Sequence, residues 1–311
     1  MNIIYFHQYF CTPKGSGGTR SYFIAKALVK SGHEVKVVCL NDKRSNTGLK
    51  SSFKNGFRKG KVEGIEVIEI NLSYSNKLNL YQRSIAFLKF SLICSLIAIK
   101  SECDLIYATS TPLTIAIPAI FGKIIRGRKF IFEVRDLWPE LPKALGIVKN
   151  PVFLFLLDSL ERLAYYYADI CIGLAPGICE GIAKKGFKKE NIYLFPNASD
   201  IKLFSPIEIN KKKNPKLIPS LRKYIKTNSF VAAFTGAHGK ANGLDLLIEV
   251  ALELKRRNRK DIFLILIGEG ICKENLQKKV LRNNLTNCFF IPSIPKEKLA
   301  VILRESVDVV R

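Results

Sequence analysis

Residues 2–40 read NIIYFHQYFCTPKGSGGTRSYFIAKALVKSGHEVKVVCL. The apolar run Asn2–Tyr9 reads as a strand. A glycine-rich turn follows, and Gly18–Ser31 reads as a helix closed by Gly32. Glu34–Leu40 is a second strand, with Val35, Val37 and Val38 supplying β-branched bulk. Two strands joined through a helix must lie parallel, because no hairpin connects them.

The same alternation runs outward from this unit. Ile65–Asn71, Asp104–Thr109, Lys129–Val134, Ile170–Leu174 and Ile192–Phe195 read as strands, most of them separated by helical stretches. Residues 42–62 are polar, basic and glycine-punctuated, and read as a mobile loop. Pro196–Pro206 reads as a domain junction, and residues 210–226 are basic and broken by proline. Alternation then restarts: strand Phe230–Phe234, helix Gly243–Arg257, strand Ile262–Ile267, helix Lys273–Asn283, strand Cys288–Ile291, helix Lys296–Glu305. A strand begins at Asp308–Val310. The fold class expected is α/β, with two doubly wound parallel sheets. The domains expected are residues 1–205 and 206–311, the second incomplete.

With 311 residues, 48% hydrophobic and 24% charged, the chain is neither disordered nor fibrous. Charge is the unusual feature, at +24. Residues 1–100 are net +11, residues 101–200 net +1, and residues 201–311 net +12. Such a chain should meet something anionic: a membrane face, a phosphorylated substrate or nucleic acid. No aromatic-interleaved basic stripe appears, which argues against nucleic acid. The 8 Cys show no CxxC spacing and read as reduced thiols of a cytosolic protein. Three His and no DxD leave no dedicated metal site, and no cofactor is expected. MNIIYFHQYF lacks a basic leader and does not read as a signal peptide.

Five segments carry candidate chemistry. Gly15–Arg20 (GSGGTR) joins a strand to a helix, where backbone approaches a ligand closely and free N–H groups face an anion. It is neither a dinucleotide fingerprint nor a P-loop. Gly236–Gly243 (GAHGKANG) holds the same position in the second half and adds His238 and Lys240, suited to a diphosphate. An anionic ligand held between the two turns is the expectation, the alternative being two unrelated turns. Phe132–Glu140 (FEVRDLWPE) gathers three acids, an Arg and the only Trp past a strand; it reads as a cleft lining or as a local ion-pair network. Leu78–Ile99 is apolar on nearly all sides. Its core, Ile85–Ile99, is 15 residues long and broken by Lys89, short of the ~20 that a spanning helix needs. It reads either as a buried core helix or as a segment inserted into a bilayer surface. Lys54, Arg58, Lys59, Lys61, Lys77, Arg83 and Lys89 lie within or near it and favour anionic lipid. Gly268-Glu269-Gly270 follows a strand and reads as a plain turn or a nucleotide-cleft lining.

Together these segments resemble the retaining GT-B glycosyltransferases of family 4, nearest the branch serving O-antigen, capsule and exopolysaccharide. The resemblance rests on residues 15–38, 132–151, 174–204, 235–257 and 264–270, and it implies a glycosyltransferase. A nucleotide-diphosphate sugar would bind the second domain, and a polyprenyl-diphosphate-linked acceptor the first. Gly17 and Gly18 would pass near the donor phosphates. Arg135 and Asp136 stand where many relatives carry a His-Asp pair near the reacting sugar. Gly236, His238, Gly239 and Lys240 would face the diphosphate, with Gly243 opening the helix. Glu269 and the Pro292–Pro295 loop would border the nucleoside. Asn242 stands where relatives carry a diphosphate-gripping Lys, so Lys240 or His238 would supply that charge. The family's acidic, glycine-rich donor segment would lie past Arg311, so the chain reads as C-terminally truncated. The location implied is cytoplasmic, peripheral at the inner membrane face. The alternatives are a non-catalytic truncated relative and a GT-B sugar-nucleotide epimerase.

Overall fold

The computed structural model describes residues 1–42, 45–72, 80–205 and 229–310. Lys77 and the basic stretch 210–226 lie outside the described residues. The chain forms two compact units, Met1–Ala198 and Ser199–Arg311.

The first unit runs β1 (Asn2–Phe6), α1 (Arg20–Lys30), β2 (Glu34–Leu40), β3 (Phe57–Val62), β4 (Ile65–Ile70), α2 (Leu80–Lys100) and β5 (Leu105–Thr109). It continues through α3 (Ala116–Arg126), β6 (Lys129–Val134), α4 (Glu140–Ala144), α5 (Pro151–Tyr167), β7 (Ile170–Gly173), α6 (Pro176–Lys184) and β8 (Ile192–Leu194). The sheet order is β3-β4-β2-β1-β5-β6-β7-β8. Among the described residues every pairing is parallel except β3 with β4. β1 therefore sits mid-sheet, and the winding reverses between β1 and β5. Ligands of doubly wound sheets bind outside the carboxyl ends of the strands at such a reversal.

Strands buried on both faces need apolar residues on both, and these have them. Ile4, Phe6, Val38, Ile106 and Phe132 pack under α2, α3 and α5. Ile3, Tyr5, Val35, Val37 and Val67 pack under α1. α1 is shorter than the Gly18–Ser31 reading: it begins at Arg20, with Thr19 at the N-cap position and Gly18 in the turn. β1 likewise stops at Phe6, short of Tyr9.

The loop expected over residues 42–62 is partly strand. β3 pairs antiparallel with β4 from Phe57↔Ile70 to Val62↔Ile65. The connection is the two-residue turn Glu63-Gly64, with φ of +48° and +87°. Two successive positive φ angles match the right-handed twist of a hairpin. Along β3 the side chains alternate. Phe57, Lys59 and Lys61 oppose Ile70, Ile68 and Glu66, on the face that α2 covers, and Arg58 opposes Glu69 on the other.

α2 spans 21 residues and meets neither extreme expected of it. Ala86, Phe90, Cys94 and Ala98 pack inward, while Leu88, Leu92 and Leu96 stay exposed. By length and composition it is long and apolar enough to cross a membrane, yet a third of it is buried in the unit.

The second unit runs β9 (Phe230–Thr235), α7 (Asp245–Arg256), β10 (Ile262–Ile267), α8 (Lys273–Arg282), β11 (Cys288–Ile291), α9 (Lys296–Ser306) and β12 (Val309–Val310). Its sheet is small, four parallel strands ordered β11-β10-β9-β12. Here the reversal falls beside β9, whose carboxyl end leads into Gly236. No disulfide joins the eight cysteines, and six of them are buried.

Close packing of α3 onto the sheet depends on Gly122. A Cβ there would stand 2.2 Å from Ile106 Cδ1 and 3.6 Å from Ala98 Cβ. Gly122→Ala is expected to lower unfolding free energy by about 1–2 kcal/mol, overpacking outweighing the helix propensity gained. A denaturant midpoint equal to wild type would refute this.

Candidate functional site

The carboxyl edge of β1, β5 and β6 brings together residues far apart in sequence. At its centre is Glu133, the penultimate residue of β6, whose side chain is fully buried. Arg20, at the start of α1, reaches it at 3.1 Å. Arg135 Nε donates to it at 3.2 Å and to Thr109 Oγ1 at 3.1 Å. Tyr107 and Thr109 donate their hydroxyls at 2.7 and 2.6 Å. Burial pushes the Glu133 carboxyl up, but Arg135, Arg20 and the two hydroxyls outweigh it, holding the group below the ordinary carboxylate range. Burial pushes the Tyr5 and Tyr107 phenols well up, so both stay protonated.

Arg20 also donates to the carbonyls of Phe195 and Pro196, both at 2.7 Å. One guanidinium thereby ties the first glycine turn to β6 and to the segment after β8. The sequence places Arg20 and Glu133 inside the candidate segments Gly15–Arg20 and Phe132–Glu140 without singling either out. An Arg opening a helix after a glycine turn and a Glu closing an apolar strand were the available signals.

Arg135 and Asp136 stand together just past β6, both partly exposed. Arg135 N–H donates to Ser110 Oγ at 3.0 Å, and Asp136 accepts from Thr111 Oγ1 at 3.0 Å. A terminal Arg135 nitrogen and both amide atoms of Gln8, which is fully buried, have no hydrogen-bond partner. Behind this loop, Lys185 lies 3.0, 2.6 and 2.9 Å from Glu140, Asp158 and Glu161. Glu161 also accepts from Trp138 N–H at 3.2 Å, so the ion-pair network anchors the loop rather than filling it. Gly17 is partly exposed and Gly18 fully open, with nothing within 4 Å of an added Cβ.

In the second unit the two glycine turns pack backbone on backbone. Gly236 N–H donates to Ile267 O at 3.0 Å, and His238 N–H to Glu269 O at 2.9 Å. A Cβ on Gly268 would lie 1.8 Å from Gly236 O, and one on Gly270 2.4 Å from His238 O. Only glycine fits at either position. Gly239, Lys240, Asn242 and Gly243 follow on the outside, with Lys240 exposed and Asn242 Nδ2 donating to Ala237 O at 2.6 Å. Gly243 is left-handed, φ +57°, and turns the chain into α7. Glu269 is exposed and ion-paired to Lys273 at 2.7 Å.

Two expectations need correction. His238 does not present its ring to a ligand: it is fully buried, in contact with Phe234 and Phe290, with both nitrogens unpartnered. Burial, with Lys273 nearby, lowers its pKa, so it carries no charge at neutral pH. Lys240 is left as the exposed cation of that turn. Arg58 does not face outward with Lys54, Lys59 and Lys61: its side chain meets buried Glu69 at 2.8 Å. Lys54, Lys59, Lys61 and Lys89 are exposed, and Arg83 is partly so.

The architecture is that of the GT-B glycosyltransferases. The structure aligns with the UDP-glucose complex of Anabaena Alr3699/HepE at a TM-score of 0.64 and 18% identity, covering 100% of this chain and 73% of that one. It aligns with the catalytic domain of Arabidopsis thaliana starch synthase IV, bound to ADP and acarbose, at 0.66 and 13%, covering 99% and 77%. Residues 15–198 match the Glycosyl transferase 4-like domain and residues 220–310 match Glycosyl transferases group 1. The chain belongs to the glycosyl transferase 4-like family. It is 25% identical over 186 residues to WcaI of Escherichia coli (strain K12), whose name assigns it a glycosyl transferase role in colanic acid biosynthesis. That match spans 58% of this chain and 43% of WcaI, less than half its length.

Two predictions follow from this geometry. Glu133→Gln removes the charge shared by two guanidiniums, and is expected to cost about 3 kcal/mol of stability, measured by denaturant unfolding. A loss under about 0.5 kcal/mol would show that the cations are satisfied without it. The second concerns pH. Burial lowers the pKa of His7 as well as His238, with Arg135 contributing at His7. An unfolded His binds its proton near pH 6.5, and these folded ones only at lower pH, so stability falls as pH drops below about 6.5. His238→Phe should lose less stability than wild type between pH 7 and 5. Parallel stability curves for the two proteins would contradict this.

Proposed function

We propose that this chain is a glycosyltransferase that moves a sugar, with retention, from a nucleotide-diphosphate donor to a lipid-linked saccharide acceptor in cell-surface polysaccharide synthesis. The observation that carries it is the position of the glycine turns. Each follows the central strand of its sheet at the carboxyl edge, beside the winding reversal, where doubly wound sheets bind their ligands. WcaI is assigned to polysaccharide synthesis, and Alr3699/HepE binds UDP-glucose, which supports the same class of donor here.

On this reading residues 1–205 take the acceptor and residues 206–311 the donor. Gly236, Gly239, Lys240, Asn242 and Gly243 hold the diphosphate, and Glu269 borders the nucleoside, with Gly17 and Gly18 near the phosphates. Arg135 and Asp136 stand at the reacting sugar. The bond between the anomeric carbon and the phosphate oxygen breaks. The acceptor oxygen bonds to the same face of that carbon, and its proton passes to the departing phosphate. Lys240 and the turn N–H groups stabilise the charge that develops on the leaving group. The chemistry demands cations and donors rather than a nucleophile–base pair. The protein works in the cytoplasm, peripheral at the inner membrane face, where a polyprenyl-diphosphate acceptor is found.

A panel of nucleotide sugars offered with a polyprenyl-diphosphate-linked acceptor tests this. Product with retained anomeric configuration is expected. Inversion, or no transfer from any donor, overturns it, and donor conversion without acceptor points to the epimerase alternative. Lys240→Ala and Asp136→Ala are each expected to slow transfer at least about tenfold, roughly 1.4 kcal/mol of barrier. Near wild-type rates in both would refute the residue assignment.

A further inference from the structure

Three helices on one side of the first sheet share an unusual outer surface. α2 packs against α3, and α3 against α5, so they lie side by side. Each buries one face on the sheet and leaves a second apolar stripe in solvent. On α2 the stripe is Leu88, Leu92 and Leu96, at four-residue spacing. On α3 it is Phe121, Ile124 and Ile125, and on α5 it includes Val152, Phe155, Leu156 and Tyr166. Leu92 is 60% exposed and Phe155 69%, values belonging to a surface rather than to a core margin. Scattered apolar residues need no partner, whereas stripes on three adjacent helices form a continuous patch.

The charges around the patch are mostly positive, the exposed exceptions being Glu66 opposite Lys61 and Glu102 and Asp104 just past α2. α2 and α3 contain no acidic residue. Lys89, Lys100, Arg126 and Lys129 are exposed on or beside them. At the sheet edge Lys59 and Lys61 project to the same side as α2. On α5, Asp158 is already engaged by Arg162 and Lys185. A second copy of the chain, docked through this face about a two-fold axis, would set like cations against one another. A bilayer with anionic head groups meets both demands, accepting the side chains among its acyl chains and the cations at its surface.

We infer that the outer face of α2, α3 and α5 docks flat on an anionic phospholipid surface, with Lys59, Lys61, Lys89 and Arg126 at the head groups. This rests on the peripheral-membrane reading above and adds to it the face and the orientation. The membrane contact is then a plane of three helices rather than one inserted helix, and Arg58 has no part in it.

The test is co-sedimentation of the full chain with vesicles of phosphatidylcholine, with and without phosphatidylglycerol. Binding to the anionic vesicles alone is expected. Leu92→Glu, Ile125→Glu and Phe155→Glu, each at an exposed position, should each weaken it by about tenfold or more. Lys89→Glu combined with Arg126→Glu should do the same, and keeps the test sound if an apolar variant fails to fold. Phe23→Glu, on α1 across the sheet, should bind as wild type. If only Leu92→Glu loses binding, the three-helix face is overturned and a contact by α2 alone stands. Equal binding to neutral vesicles overturns the role of charge. A wild-type chain that ignores both vesicles, or dimerises through this face, overturns the membrane reading itself.

Discussion

A carboxylate sealed from water must be surrounded by cations or hydrogen-bond donors, and that demand organises the carboxyl edge of the first sheet. Glu133 meets it with two guanidiniums and two hydroxyls. The groups that satisfy it come from α1, β5 and the residues past β6. Their positions are therefore mutually fixed, and the partly exposed Arg135 and Asp136 rest on a rigid floor. A second network, centred on Lys185, holds the far end of the same loop. Between them the two networks leave the loop little freedom.

The second unit reaches rigidity by other means. Its two glycine turns touch mainly through main-chain atoms, and Lys273 Nζ donates to Gly268 O at 3.0 Å beside them. The buried, uncharged His238 fills the space beneath them. The outer positions, from Gly239 to Gly243, are left to meet whatever binds. Exposed Lys240 then lies on a fixed backbone.

Much of the fold was legible because fully buried parallel strands read as unbroken apolar runs. Glu34–Leu40, Lys129–Val134, Ile262–Ile267 and Cys288–Ile291 have the same bounds in the sequence reading and in the structure. β3 escaped because it is an edge strand, FRKGKV, charged and half exposed as edge strands are. Its one signal was the Glu63-Gly64 pair placed between Val62 and Ile65. The candidate site was legible as motifs but not as orientations. GAHGKANG marks a turn that can meet an anion, yet nothing in those letters says that His238 turns inward while Lys240 stays out. The tie between Arg20 and Glu133 spans 113 positions, a separation that no local pattern encodes. The helix pattern of α2 showed how apolar it is, but only the sheet and its neighbour α3 decide which side is covered.

The strand order has a consequence for the chain as it leaves the ribosome. β1 lies in the middle of its sheet, and β2 and β4 are added outward on one side before β5, β6, β7 and β8 extend the other. Each parallel strand beyond β1 thus finds an edge already made by earlier synthesis, and only β4 enters between two strands, β2 and β3, that precede it. The carbonyls that Arg20 grips at Phe195 and Pro196 emerge last. The first glycine turn therefore gains its final restraint only once the whole unit has been translated, while the second unit is still being made.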